Sequence, residues 1–205
     1  MKEKIQIKEL IEQQICVPVI PSMKQLEKFI ESDLLICLFQ DIHISLLEHM
    51  IRKTHESNKI ALVHIDMIHG ISVDEYGTEF LCQKLRADGV ISTKTKIIET
   101  TKKNKKIAVL RVFLIDSKSI ERGIETILKS QPDVVEVMPA IAYKIIPYIK
   151  SKISTPIIGG GLLKSIVDLK DGLNAGCIAF TVSDLNLCNA IHEAQNEEKI
   201  NKTEM

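Results

Sequence analysis

Two segments near the C-terminus, Pro156-Ile157-Ile158-Gly159-Gly160-Gly161 and Cys177-Ile178-Ala179-Phe180-Thr181-Val182-Ser183-Asp184, decide how this chain is read. Each is a short apolar run of the kind that forms a strand buried on both faces, and each ends in groups that suit an anion. The glycines leave backbone N–H groups uncovered and let a ligand approach closely. Thr181 and Ser183 put hydroxyls on one face, just ahead of a helix whose first N–H groups carry partial positive charge. Two successive strand-to-helix turns of this type are a common phosphate grip in (βα)8 barrels. Either turn alone is an ordinary connection; the pairing carries the reading.

The same alternation runs back through the chain. Strands are expected at Val17–Pro21, Leu34–Gln40, Ile60–Asp66, Gly89–Thr93, Ile107–Ile115, Val134–Pro139, Pro156–Gly160 and Cys177–Ser183, all rich in Val, Ile and Leu. Between them, apolar residues recur at helical spacing, as in Leu46, Leu47, Met50, Ile51 and in Ile120, Ile124, Ile127, Leu128. Helix starts are expected at Ser72, Ser117 and Ser183-Asp184. Eight strand–helix units in 205 residues predict an α/β fold, a single compact (βα)8 TIM-like barrel. A doubly wound open sheet is the alternative. Ile7, Leu10 and Ile11 in the first fourteen residues predict an extra N-terminal helix across the bottom of the barrel. Residues 1–192 form the expected barrel domain, and residues 193–205 a polar tail.

Lys and Arg (27) balance Asp and Glu (27), so no global field draws the protein to nucleic acid or membrane, although a local patch is compatible with that balance. The five cysteines include no C-x-x-C pair and are expected to be reduced, buried hydrophobes of a cytoplasmic protein. No signal peptide or membrane-length apolar run is found, and aromatic residues are too few for stacking platforms on single strands.

Strand parity selects the residues that face the barrel interior. Leu62, His64 and Asp66 share one face, Val109, Arg111 and Phe113 another, and Val134, Glu136 and Met138 a third. An unpaired charge inside would cost several kcal/mol, so Arg111 requires Glu136, Asp66 or a bound anion. One reading is a structural ion pair with His64 as a core residue. The other is a polar pocket beside the phosphate turns, in which Arg111 or Lys94 meets anionic groups while Glu136, Asp66 and His64 meet substrate hydroxyls. Lys94 is alternatively a solvated helix-start lysine or a Schiff-base lysine. No metal is expected, because Arg111 would repel a cation held by His64, Asp66 and Glu136. The dinucleotide, P-loop and G-x-S-x-G patterns are absent, and no residue is assigned a catalytic role.

Five blocks stand in the order and spacing of a known family: Val63-His64-Ile65-Asp66-Met67-Ile68-His69-Gly70-Ile71, Ala87-Asp88-Gly89-Val90-Ile91-Ser92-Thr93-Lys94, Arg111-Val112-Phe113-Leu114-Ile115-Asp116-Ser117, Val135-Glu136-Val137-Met138-Pro139 and Ile157-Ile158-Gly159-Gly160-Gly161-Leu162. In these the chain resembles the glycerol-3-phosphate-responsive antiterminators, from about Val17 to Leu187. The resemblance implies a barrel that senses glycerol 3-phosphate as its effector, with no cofactor. It implies binding to the leader mRNA of glycerol-utilisation operons, with transcription then passing a terminator. A homo-oligomer is compatible with it. Two departures stand out. Thr181-Val182-Ser183-Asp184 replaces a Ser-Thr-Ser-like run, and Pro139-Ala140 replaces Pro-Gly.

The densest basic run, Lys102, Lys103, Lys105 and Lys106, is the candidate RNA contact and is expected on the N-terminal face of the barrel, opposite the pocket. A rim site with Lys94, Lys96, Lys144 and Lys164 is the alternative, and so is a merely solvated run. Two other functions compete: an isomerase, aldolase or synthase acting on a small phosphorylated metabolite, and a barrel that serves only as a protein-interaction module.

Overall fold

The computed structural model describes residues 2–203, with side chains for residues 7–195. Eight parallel strands close into a barrel: β1 (Cys16–Ile20), β2 (Ile36–Phe39), β3 (Ile60–His64), β4 (Gly89–Ser92), β5 (Ile107–Phe113), β6 (Val134–Met138), β7 (Ile157–Gly160) and β8 (Ala179–Val182). Each strand pairs with the next in sequence, and β8 returns to β1 through Cys16↔Phe180 and Val17↔Thr181. The open-sheet alternative is thereby excluded. All eight expected strands form, the first displaced by one residue to Cys16–Ile20 and the other seven shorter than expected. The third ends at His64 because Ile65–Met67 turns into a 3-10 helix, which lifts Asp66 to the barrel mouth.

The surrounding helices are α1 (Lys2–Gln14), α2 (Met23–Glu31), α3 (Ile44–Glu56), α4 (Glu75–Glu79), α5 (Thr95–Lys103), α6 (Ser117–Ser130), α7 (Ile146–Lys150), α8 (Ile166–Ala175) and α9 (Leu185–Thr203). α4 continues as a π-helical turn over Phe80–Lys84. Two starts differ from expectation. The α4 cap is Asp74, which accepts from the Gly77 N–H, and the α6 cap is Asp116, which forms a capping box with Ser119. In both, a carboxylate one or two residues from the expected serine takes the role, because it satisfies the first N–H groups and also complements the helix dipole. α9 stays helical through Thr203, past the expected barrel–tail boundary at 192/193; the tail side chains beyond 195 lie outside the described residues.

Parity sorts the strands as anticipated. Ala61, Val63, Ile65, Ala108, Leu110, Val135 and Val137 face outward and pack in the core beneath the helices. Val17, Val19, Leu38, Leu62, Ile91, Val109, Val134 and Ile158 fill the barrel interior, which Ile7 and Ile11 of α1 plug from below. Each such isoleucine contributes about 2 kcal/mol by burial. Gln14, at the end of α1, is buried at the β1–β2 seam. Its amide nitrogen donates to the Cys16 and Ile36 carbonyls, and its Oε1 accepts from the Leu35 and Ile36 N–H groups. Lys59 is a second clamp: its ammonium donates to the Phe29, Ser32 and Leu34 carbonyls at the end of α2. All five cysteines are buried, and the Cys16 and Cys188 thiols meet at 2.8 Å.

Candidate functional site

The apolar filling stops one layer below the mouth. Above it, Arg111 and Glu136 are direct register partners on β5 and β6. Arg111 Nε donates to Glu136 Oε2 at 2.6 Å, and Thr181 Oγ1 on β8 donates to Glu136 Oε1 at 2.6 Å. Glu136 is 0% exposed and Arg111 8%, so each charge depends on the other. Gly160 makes room for this arrangement. A Cβ there would sit 2.6 Å from Glu136 Oε1 and 2.7 Å from Thr181 Oγ1.

His64 lies on the same layer, 1% exposed, and neither ring nitrogen has a hydrogen-bond partner. Its Nδ1 is 3.7 Å from Asp66 Oδ2, too far for a hydrogen bond, and that oxygen is also unpartnered. The other Asp66 oxygen accepts the Thr93 hydroxyl at 2.8 Å. Burial, assisted by the Arg111 guanidinium, lowers the His64 imidazole to about 4. The ring is therefore neutral near pH 7 and offers one donor and one acceptor. The terminal amino group of Arg111 has only a weak contact, Nη1 to Met67 Sδ at 3.9 Å. Guanidinium donors, a neutral imidazole and a carboxylate oxygen thus converge with hydrogen-bonding capacity left over. Such a set suits a ligand with both acceptor oxygens and hydroxyls.

Thr181 connects this layer to a groove of about 330 Å³ between the β7 and β8 turns, lined by Gly161, Leu162, Leu163, Lys164, Ser183, Asp184 and Leu187 among others. Gly161 adopts φ +76°, the left-handed conformation that turns the chain at the groove wall. Of the three glycines only Gly161 lines the groove. Gly159 points outward, where a Cβ would meet the Phe180 ring at 2.8 Å and Ala140 Cβ at 2.9 Å. Gly160 lies beneath Glu136. The start of α9 is capped by its own chain, as Asp184 Oδ1 accepts from the Asn186 and Leu187 N–H groups at 2.9 and 3.3 Å. Lys94 is exposed at the rim, and its ammonium donates to the Val73 carbonyl at 3.1 Å rather than into the pocket.

Lys102 and Lys103 occupy the last turn of α5, with Lys105 and Lys106 just beyond, at the barrel end opposite the mouth. Lys102 Nζ donates to the Gln131 carbonyl at 2.5 Å, whereas Lys103 and Lys105 are exposed. Sequence reasoning passed over Thr93, although it shares parity with Ile91, and Met67, whose placement depends on the turn after β3. Among the described residues no group of three or more His, Cys, Asp or Glu side chains is arranged to hold a metal ion. No described helix is long and apolar enough to cross a membrane.

Comparison with known proteins matches this architecture to relatives along most of its length. A crystal structure of a glycerol uptake operon antiterminator regulatory protein from Listeria monocytogenes is 31% identical, with a TM-score of 0.81 over 84% of this chain and 93% of that one. A glycerol uptake operon antiterminator-related protein from Thermotoga maritima is 27% identical, with a TM-score of 0.72 over 84% of this chain and 96% of that one. The uncharacterized protein YgcP of Escherichia coli (strain K12) is 29% identical over 173 residues, 82% of this chain and 89% of the relative. Residues 16–188, which span the closed barrel and the start of α9, match the family described as glycerol-3-phosphate responsive antiterminator. The chain belongs to that family, a family of transcription regulators built on a TIM barrel.

Proposed function

We propose that this protein is a cytoplasmic regulator that binds glycerol 3-phosphate at the barrel mouth and, so loaded, binds the leader mRNA of a glycerol-utilisation operon to let transcription pass a terminator. The observation that carries the ligand site is the buried, unpartnered imidazole of His64 beside the unpartnered Asp66 oxygen and the Arg111–Glu136 pair. Buried polar groups without partners are costly, and a polyol satisfies them in a way that an apolar ligand does not. In this reading the ligand hydroxyls meet His64 and Asp66, and Arg111 supplies positive charge to ligand oxygens. The phosphate lies in the groove formed by Gly161, Thr181 and Ser183, with Lys164 at its edge. Glu136 acts through Arg111 and Thr181, whose side chains it holds. No cofactor takes part.

A phosphorus NMR titration of glycerol 3-phosphate tests the ligand site. The expected result is a shifted or broadened ligand signal with no new peak, lost in an Arg111→Ala variant that remains folded. New peaks growing over hours would identify an enzyme. A signal identical to that of free ligand would remove this effector. RNA binding measured with and without the ligand tests the second half: affinity should rise when ligand is present.

A further inference from the structure

The basic face of the molecule is much larger than the one lysine run that the sequence displays. In a (βα)8 barrel every outer helix points the same way, so the residues that end successive helices meet at the barrel base. Here those residues are basic. The π-helical turn after α4 ends in Lys84, followed by Arg86; α5 ends in Lys102 and Lys103 and is followed by Lys105. α6 contributes Lys129, and α7 contributes Lys150 with Lys152 beyond it. None of these forms an ion pair among the described residues, whereas Lys96, near the mouth, pairs with Glu75. Two carboxylates in the same sector are turned toward the strands, whereas Glu99 and Glu125, one turn before Lys103 and Lys129, are exposed. Asp88 accepts from the Ala61 N–H and Asp133 from the Ala108 N–H.

Two details make this more than a complement to helix dipoles. Neighbouring helix ends are tied together, Gln83 Nε2 to Asn104 Oδ1 at 2.7 Å and Lys102 Nζ to the Gln131 carbonyl at 2.5 Å, so the basic side chains project from one continuous surface. In addition, Arg86 and Lys105 both stand at left-handed backbone positions, each with φ +60°. The equivalent residue is Asn58 after α3 and Gly176 after α8, types that tolerate this conformation, and the neutral Ile15 after α1 and Gln131 after α6. After α4 and α5 a strained conformation is instead filled by a long cationic side chain.

We infer that the base of the barrel, from the end of α4 to the end of α7, is the surface that binds the RNA phosphate backbone. This rests on the reading of the protein as an RNA-binding regulator and assigns that activity a face. Cations free of ion pairs, with Leu128 the one large apolar side chain more than half exposed among them, suit a phosphate chain better than a protein hot spot. The effector pocket lies at the other end, so ligand and RNA do not share contacts and their coupling passes through the barrel.

The test uses the full chain and a fluorescein-labelled RNA hairpin with single-stranded flanks, measured across a salt series with and without glycerol 3-phosphate. The variant Lys84→Gln/Lys103→Gln/Lys105→Gln/Lys129→Gln is expected to bind RNA at least about tenfold more weakly near 0.1 M salt, with the salt slope reduced by about 3. Its glycerol 3-phosphate binding should match wild type. A second variant, Arg86→Gly/Lys105→Gly, removes charge and backbone strain together, so it should melt at a higher temperature yet bind RNA several-fold more weakly. Wild-type affinity in both variants, or a comparable loss in Lys118→Gln/Lys144→Gln near the mouth, would overturn the assignment of the face. Wild-type protein that binds no RNA at low salt would overturn the regulator reading itself, and the face with it.

Discussion

The two ends of the barrel are built on opposite terms. At the base, two buried polar side chains are fully used, Gln14 making four hydrogen bonds across the β1–β2 seam and Lys59 three at the end of α2, and the helix ends from α4 to α7 carry exposed cations. At the mouth, the buried polar groups are only partly used. His64 and one Asp66 oxygen lack partners, and the carboxylates nearest the rim cap helices, as Asp74, Asp116 and Asp184 do. The Asp74, Asp116 and Asp184 carboxylates that cap helix starts and the lysines that end α5, α6 and α7 lie at opposite ends of the barrel because the helices are parallel. Satisfied polar groups stabilise a fold, and unsatisfied ones mark where a ligand belongs.

The sharpest way to break this contrast is to remove the buried carboxylate that holds Arg111 and Thr181 at the mouth. Glu136→Ala leaves Arg111 buried and unpaired, and should cost about 3–5 kcal/mol in urea unfolding. The double variant Arg111→Met/Glu136→Leu should recover much of that stability while abolishing ligand binding. Recovery of both would mean that the pair is purely structural.

Next in size is the pH dependence set by His64. Its imidazole stays neutral in the folded protein down to about 4, whereas in the unfolded chain it takes a proton near 6.5. Between those values the unfolded chain binds more protons, so stability falls as pH drops through that window and is level above it. The loss is on the order of 3 kcal/mol. In His64→Gln that share of the decline should vanish, which unfolding curves at several pH values would show.

At the base, Gln14→Ala should cost about 2 kcal/mol by leaving backbone groups unpaired at the seam, with no change in affinity for glycerol 3-phosphate. Loss of ligand binding in that variant would show that the two ends are not separable. The smallest expected effect is at Asp184. Its carboxylate takes the first N–H groups of α9 and places negative charge beside the groove. Asp184→Asn keeps the cap and removes the charge, so glycerol 3-phosphate should bind several-fold tighter in calorimetry. Unchanged affinity would place the phosphate elsewhere.

Much of the mouth was legible in the sequence because a period of two decides which side chains enter a barrel. His64, Arg111 and Glu136 fall on inward positions of strands whose alternate residues are wholly apolar. The glycines were less legible. The same parity turns Gly159 outward against Phe180, but a residue without a side chain draws attention to its backbone rather than to its face. The caps at Asp74 and Asp116 lay two residues and one residue from the serines that were expected, since carboxylates and hydroxyls compete for the same N–H groups. The basic face was visible only in part. Lys102 to Lys106 are contiguous, whereas Lys84, Lys129 and Lys150 are brought together only by the parallel packing of the helices.

The most direct test of the mouth as effector site is the imidazole-nitrogen NMR signal of His64 recorded with and without glycerol 3-phosphate. If the ligand satisfies the unpartnered ring, that signal starts as a neutral imidazole and shifts on binding, while the exposed imidazole of His69 does not. A His64 signal that stays in place while phosphorus NMR reports bound ligand would contradict the assignment.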